Sequence, residues 1–227
     1  MKKLLKTAFL DTVPVMTGYL VLGFGFGMIL KANGFDILLA PAMSVFIYAG
    51  SMQYVAIGLL TGGASLITAA LTALMVNARH LFYGVSMLDR YRNVGKCKPY
   101  LIFALTDETY SLVCREHPSI PEAEWSRYAL LVSVFNHAYW VTGSVLGAVA
   151  GTLLSFDSTG IDFALTALFV TVLLDQWLHT KKHAPAIIGA AASAGCLLLF
   201  GRDGFLIPAM LAITLLLCLC KEDSAHE

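Results

Sequence analysis

Charged residues are scarce in this chain. Only 13% of its 227 residues are Asp, Glu, Lys or Arg, whereas 58% are hydrophobic and the mean hydropathy is +0.74. A soluble domain carries about 25% charged residues, so this composition excludes an ordinary soluble fold. The formal net charge is zero, which leaves no basic excess for binding nucleic acid. The nucleotide-binding motif GxxxxGK[ST] is also absent, so we expect no nucleotide hydrolysis by this chain.

Cysteine is present, but not in a pattern that binds metal or forms a disulfide framework. The chain has five cysteines and no CxxC pair. Most of them lie in apolar stretches, where a thiol behaves as a small hydrophobic group. The five are Cys97, Cys114, Cys196, Cys218 and Cys220.

Long apolar runs are abundant, and several can cross about 30 Å of hydrocarbon. They predict an all-α polytopic membrane protein with about seven to eight membrane segments, forming a single integral membrane domain over residues 1–227 in the lipid bilayer. The predicted segments are Thr12–Leu30, Ile37–Leu60, Ser65–Leu88, Pro99–Cys114, Tyr128–Ser155, Phe163–Thr180, Ala184–Phe200 and Phe205–Cys220.

Basic residues give an orientation. The N-terminus resembles a signal peptide, but Asp11 and Pro14 interrupt its apolar run, so we interpret it as a retained basic cytoplasmic end. The loop Asp89–Lys98 is the most basic connection and, by the positive-inside rule, is also cytoplasmic. Three complete crossings before it would place it outside. Either the rule fails here or one of the first three segments enters the membrane without crossing it, and we predict the second.

Two adjacent acids lie in the middle of the apolar segment Pro99–Cys114. Asp107 and Glu108 are about 12 Å of helix from its ends, so an ionised carboxylate there needs a partner or a proton. The natural partner is Arg79, which lies deep in the third segment. Two acids against one arginine leave one acid free to exchange a proton. The alternative is a short surface helix whose acids are in water.

The polar positions of the second and third segments are further candidates for a substrate and proton pathway. Gly50 loosens the second segment, so that backbone carbonyls and polar side chains are presented to a zwitterion; ordinary helix–helix hydrogen bonds are the alternative. Gly23, Gly25 and Gly27 predict either close helix contact or a helix break in the first segment. The polar candidates are Ser51, Gln53, Tyr54, Asn77 and His80.

The second half of the chain carries weaker signals. Asn136–Trp140 is interpreted as an interfacial aromatic belt in preference to a site wall. Asp175, His179 and His183 have a spacing that metals use, but a helix end explains them better, so no metal is predicted. Glycines near Gly23 recur 121 to 125 residues later near Gly147, which suggests repeat halves at 1–115 and 116–227.

Three motifs carry a family resemblance. Ala49–Tyr54, Asn77–His80 followed by Tyr83-Gly84, and Leu105–Thr109 occur in an order and spacing that resemble the AzlC family, the large subunits of bacterial branched-chain amino acid exporters. The resemblance implies secondary active export of leucine, isoleucine, valine or their analogues across the bacterial inner membrane. It also implies a hetero-oligomer with a small AzlD-like multi-span subunit. It assigns no residue to the substrate.

We predict proton antiport, with sodium held by the backbone carbonyls of an unwound helix as the alternative coupling ion. Asp107 shares the more polar helix face with Tyr110 and Ser111, so we predict Asp107 as the acid that faces the cavity and Glu108 as the structural one. Two other classes remain open, an intramembrane enzyme and a non-transporting scaffold or receptor subunit. Neither Gly50-Ser51 nor Gly143-Ser144 matches the GxSG motif of an intramembrane serine protease.

Overall fold

The computed structural model describes residues 2–114, 117–153, 170, 173–174, 177–178 and 183–223. Within these residues the regular structure is helical, without strands. The chain divides into two compact units, Met1–Leu165 and Thr166–Glu227. The sixth predicted segment, Phe163–Thr180, falls largely outside the described residues.

The helices of the first unit differ widely in length. Two long helices, α1 and α8, contain 31 and 32 residues, and short helices lie between them. In chain order the helices are α1 (Lys2–Ala32), α2 (Leu39–Phe46), α3 (Gly50–Thr61), α4 (Leu66–Val76), α5 (Arg79–Ser86), a 3-10 turn (Gly95–Cys97), α6 (Lys98–Phe103), α7 (Asp107–Val113) and α8 (Glu122–Leu153). The second unit contains α9 (Ala184–Gly204), kinked at Gly201, and α10 (Leu206–Asp223), which contact each other.

Three of the described helices are long and apolar enough to cross a membrane. They are α1, α8 and the part of α9 from Ala184 to Gly201. The pair α4 and α5, bent by 47° at the break between them, makes a fourth if it counts as one span. The predicted seven to eight spans are therefore not confirmed, because the second and fourth predicted segments are each split into two short helices.

Glycines bring α1 and α8 into close contact. A Cβ atom at Gly23 would lie 2.9 Å from the carbonyl oxygen of Trp140, and one at Gly147 would overlap the carbonyl of Phe24. Lys31 packs on Gly151 farther along, so the two helices run parallel with an offset of about 120 residues. The glycines that recur in the sequence at this offset therefore lie on the two facing sides of the contact between α1 and α8. The helix-break alternative for Gly23, Gly25 and Gly27 is wrong, since α1 is continuous through all three.

The N-terminus and the basic loop lie at the same end of the first unit, which we call the N-terminal end. Leu4 of α1, Tyr91 and Val94 of the loop, and Trp125 of α8 belong to one buried hydrophobic cluster. This is the arrangement that the positive-inside rule requires if both basic segments are cytoplasmic.

The helices α2 and α3 form a hairpin that enters from the opposite end and returns to it. Along α2, Ser44 bonds to Ser144 and Tyr48 then stacks on His137, so the chain moves toward the N-terminal end. Along α3 the direction reverses, because Tyr54 contacts Leu22 and Phe26 of α1. The prediction that one early segment enters without crossing is supported by this geometry.

The helices α6 and α7 form a second hairpin, which enters from the N-terminal end. Leu101 of α6 and Val113 of α7 both belong to the hydrophobic cluster at that end. Between them, Thr106 reaches Tyr19, close to the middle of α1. The two hairpins therefore approach each other from opposite ends, and their tips meet where Tyr48 packs on Phe103.

Candidate functional site

The acid pair lies at a helix start. Thr106 is extended (φ −83°, ψ 172°), and its hydroxyl accepts the backbone N–H of Thr109, which caps α7. Asp107 and Glu108 then occupy the first turn, where the helix dipole stabilises negative charge. The prediction that both acids lie mid-helix is therefore wrong. The extended backbone at Thr106 separates α6 from α7.

Arg79 joins three of the interrupted elements. Its Nη1 lies 2.5 Å from Oδ2 of Asp107, and its Nη2 donates to the hydroxyl of Ser51 at 3.0 Å. Arg79 and Asp107 are the first residues of α5 and α7, and Ser51 lies in the first turn of α3. The predicted pairing of Arg79 with one of the two acids is confirmed, and the paired acid is Asp107.

Glu108 points toward α1 instead. Its Oε2 accepts a hydrogen bond of 2.6 Å from the hydroxyl of Tyr19, which also lies 2.7 Å from the hydroxyl of Thr106. Glu108 makes no ion pair with another described residue. Because adjacent helix residues point about 100° apart, the orientation of α7 gives Asp107 to α5 and Glu108 to α1. Asp107 is thus the paired acid, and Glu108 has no cation among the described residues. Which of the two acids faces the substrate stays a prediction.

Gln53 lies in a buried network that holds the first hairpin against α8. Its Nε2 donates to Ser44 at 3.1 Å, and its Oε1 accepts from the Trp140 indole at 2.8 Å. Ser44 in turn donates to Ser144 at 2.8 Å. Both ends of the amide are therefore satisfied by protein. This geometry favours the alternative of helix–helix hydrogen bonds for Gln53.

Tyr54 and Gly50, two other predicted positions, also hold the first hairpin against its neighbours. The Tyr54 hydroxyl donates to the Leu22 carbonyl at 2.5 Å. Gly50 lies against the Trp140 ring, where a Cβ atom would come within 2.8 Å of the indole. The break at Ile47–Ala49 agrees with the prediction that Gly50 marks a loosened helix.

Asn77 and His80 form the bend between α4 and α5. Nδ1 of His80 lies 3.2 Å from the Asn77 carbonyl, and the His80 ring packs on Tyr83. The side-chain oxygen of Asn77 is buried without a hydrogen-bond partner. These two residues shape the break that places Arg79 at a helix start.

Several residues around the hairpin tips were not predicted from the sequence. Tyr48 is 3% exposed, and its φ of 45° is unusual for a non-glycine residue. Its buried hydroxyl interacts with Tyr19 and Thr106 but makes no well-aligned hydrogen bond to any described residue. His137 stacks on its ring at 4.1 Å and bonds to the Ser44 carbonyl. Asn136 donates to Thr109 at 3.0 Å.

The prediction of an aromatic belt at Asn136–Trp140 is wrong for its ends, because Asn136 and Trp140 are buried. A polar residue within an apolar helix is the signal that marks Asn136. Tyr19 has no comparable signal, because a tyrosine in a membrane segment is ordinary.

The sequence also raised a serine nucleophile and a metal site, and predicted neither. Ser51 bonds to Arg79 and Ser144 bonds to Ser44, so these contacts give neither serine the histidine that a nucleophile needs. Asp175 and His179, which the sequence raised as metal candidates and assigned to a helix end, lie outside the described residues.

Comparison with known proteins gives consistent matches. The family described as AzlC protein matches residues 14–154. The chain is 43% identical to the branched-chain amino acid transport protein AzlC of Bacillus subtilis (strain 168), over 92% of this chain and 82% of that protein. It is 40% identical to an uncharacterized membrane protein of Helicobacter pylori (strain 26695), over 97% and 96%. It is 32% identical to the inner membrane protein YgaZ of Escherichia coli K12, over 80% and 78%. No solved structure matches significantly.

Proposed function

The chain belongs to the AzlC family of membrane proteins, and we propose that it exports branched-chain amino acids across the bacterial inner membrane in exchange for protons. One observation carries the proposal. Two hairpins from opposite ends meet near the middle of α1, where a carboxylate without a cation, Glu108, lies beside the Arg79–Asp107 pair. An ionisable group at this depth is typical of a substrate or proton pathway.

The substrate class follows from the relative of Bacillus subtilis, whose name gives branched-chain amino acid transport. A zwitterion needs an acceptor for its ammonium group and a donor for its carboxylate. Glu108 supplies the first. Arg79 supplies the second, because its guanidinium has a spare donor: its Nε makes no hydrogen bond to any described residue.

Exchange follows from competition for one carboxylate. When Glu108 is ionised it binds the substrate ammonium, and when a proton neutralises it the ammonium is released. The Tyr19 hydroxyl donates to the ionised form of Glu108 and holds it toward α1. Because the hairpins enter from opposite ends, a small movement of either tip opens the site to one side only. Proton entry then accompanies amino acid exit.

The same proposal includes a second subunit. The described helices α4 and α5 bury none of their residues in the first unit, yet Arg79 at the start of α5 is a charged residue at membrane depth. The side chains of Arg79 and Asp107 are 41% and 33% exposed. Lipid cannot cover such a pair without a large cost, so a small AzlD-like multi-span subunit covers this face. Full activity of the chain purified alone in mild detergent would contradict this part.

Replacement of Glu108 by glutamine tests the exchange. Glutamine still accepts from Tyr19 but cannot exchange a proton. We expect E108Q to lower proton-driven valine export by about tenfold or more, because a charge-assisted hydrogen bond to the substrate is lost. Valine efflux is measured in cells that express the chain with its partner and lack other exporters. Wild-type rates with unchanged proton dependence in E108Q would overturn the assignment of this acid.

The matched control is Glu122→Gln, which removes an exposed acid from the first turn of α8. We expect this variant to keep the wild-type rate. Absence of any valine efflux by the wild-type pair would remove the proposed function as a whole.

A further inference from the structure

An open cavity of about 450 Å³ lies at the N-terminal end of the first unit, apart from the hairpin tips. Residues of α1, of α7 and from the start of α8 line it. Pro14 and Leu112 form apolar parts of its wall, and Asp11, Ser111 and His117 are polar lining residues. None of these residues was among the site positions predicted from the sequence.

Asp11 is the charged group of this cavity. Its Oδ2 accepts the hydroxyl of Tyr128 at 2.8 Å and lies 3.3 Å from Nε2 of His117. Neither Lys nor Arg makes an ion pair with it among the described residues. A carboxylate held by a phenol and an imidazole, next to an apolar wall, suits a primary ammonium that carries an aliphatic chain.

The cavity lining lies close to Glu108 along α7. Ser111 lines the cavity and donates to the Glu108 carbonyl at 2.7 Å, so the two residues are one helical turn apart on α7. One turn is about 5.4 Å. The cavity is also at the end where the basic N-terminus and the basic loop meet, which the positive-inside rule makes cytoplasmic.

We infer that this cavity is an access site for the amino acid, in which Asp11 binds the ammonium group and Pro14 and Leu112 contact the aliphatic side chain. The amino acid then advances one turn along α7 to Glu108. The inference rests on the proposed function, since an exporter first meets its substrate on the cytoplasmic side. It adds a second carboxylate that binds the substrate before the exchanging one.

Protection of an engineered thiol tests the site directly. The native cysteines are replaced by serine and Ser111→Cys is introduced, so that a thiol reagent reports occupancy of the cavity. In inverted membrane vesicles, we expect valine and isobutylamine to slow labelling, because both carry an ammonium group and a branched chain. Isovalerate, which lacks the ammonium group, is expected not to protect.

The charge of Asp11 is tested by D11N in the same background. Asparagine still accepts from Tyr128, so the local packing is kept. We expect the valine concentration for half-protection to rise about tenfold, the effect of losing one charge-assisted hydrogen bond. The control is Asp36→Asn, an acid that bonds to the backbone N–H of Leu38 outside this cavity. It is expected to leave protection unchanged.

The outcomes separate the two proposals. No protection by valine, equal protection by isovalerate, or equal protection in D11N would overturn the access site. Valine transport in the same vesicles, measured with the wild-type chain, reports the proposed function independently. Protection without transport keeps the access site and removes the exporter, whereas transport without protection removes only the access site.

Discussion

Arg79 and Asp107 form an ion pair of 2.5 Å between the first residues of two short helices, α5 and α7. The same guanidinium donates to Ser51 in the first turn of α3. One side chain therefore connects the bent span to both hairpins. Because the three helix starts share this contact, movement of one hairpin tip is coupled to the position of the others.

The first prediction concerns the energy of this pair. Arg79→Ala leaves Asp107 without its cation, and Asp107→Ala leaves Arg79 without its anion, so each single change destabilises the fold. We expect the double variant to be more stable than the sum of the single effects predicts, with a coupling energy of about 0.5–3 kcal/mol. Unfolding of the purified protein is measured for the wild type, the two single variants and the double variant, with Arg92→Ala as an exposed control in the basic loop. Strictly additive effects would show that the pair contributes no stability.

Much of the frame could be predicted from composition and spacing. A charge-free run between Asp11 and Lys31 identified α1 as a span, and the position of Arg79 within the third segment identified it as a cation that needs an acid partner. Basic residues placed the loop Asp89–Lys98 on the side of the N-terminus, where the hydrophobic cluster also holds it. These inferences succeed because each depends on local sequence and on the cost of burying charge.

The positive-inside rule predicted that one early segment does not cross, but not which one, and the second hairpin was not predicted. An apolar run has the same hydropathy whether it crosses or turns back. The turn at Thr106 depends on a side-chain cap that any threonine can form. The direction of α7 then decides which acid pairs with Arg79, and this direction cannot be inferred from the spacing of residues in the sequence. The amide of Gln53 shows the same limit, since its partners lie nine and 87 residues away.

The second prediction concerns topology. Since the N-terminus and the basic loop share one end, Lys3→Cys and Asn93→Cys are expected to react with an impermeant thiol reagent only in inverted vesicles. Asn33→Cys and Ala64→Cys lie after α1 and after the first hairpin, so both are expected to react in intact cells. Labelling of Asn93→Cys together with Asn33→Cys would contradict the hairpin arrangement.

The third prediction concerns the contact between α1 and α8. A methyl group at Gly27 or Gly147 would overlap a backbone carbonyl of the facing helix, so either change to alanine forces the helices apart. We expect a loss of about 1–3 kcal/mol in the free energy of unfolding for each. Gly58→Ala and Gly84→Ala are the controls, because nothing lies within 4 Å of a Cβ atom at these positions.

At both control positions alanine is expected to be neutral or to stabilise the helix by up to about 1 kcal/mol. Denaturation of the detergent-purified protein gives the comparison. Equal effects in the two groups would mean that the close contact between α1 and α8 does not hold the fold together.

The last prediction compares two buried tyrosines near the hairpin tips. The hydroxyl of Tyr19 bonds to Glu108 and Thr106, so Tyr19→Phe removes a bond to a charged group. We expect it to cost about 1.5–3 kcal/mol in stability and to weaken proton-driven valine export. The hydroxyl of Tyr48 makes no well-aligned hydrogen bond to any described residue, so Tyr48→Phe is expected to change stability by about 0.5 kcal/mol or less.

If the Tyr48 hydroxyl instead forms a hydrogen bond to the bound amino acid, Tyr48→Phe raises the valine concentration that gives half the maximal export rate. The stability of the protein then stays constant. Unfolding and concentration-dependent export, measured on the same preparations, separate the two tyrosines. A large loss of stability in Tyr48→Phe would show that its hydroxyl has a structural partner. Unchanged stability and unchanged export in Tyr19→Phe would show that Glu108 works without the bond that holds it toward α1.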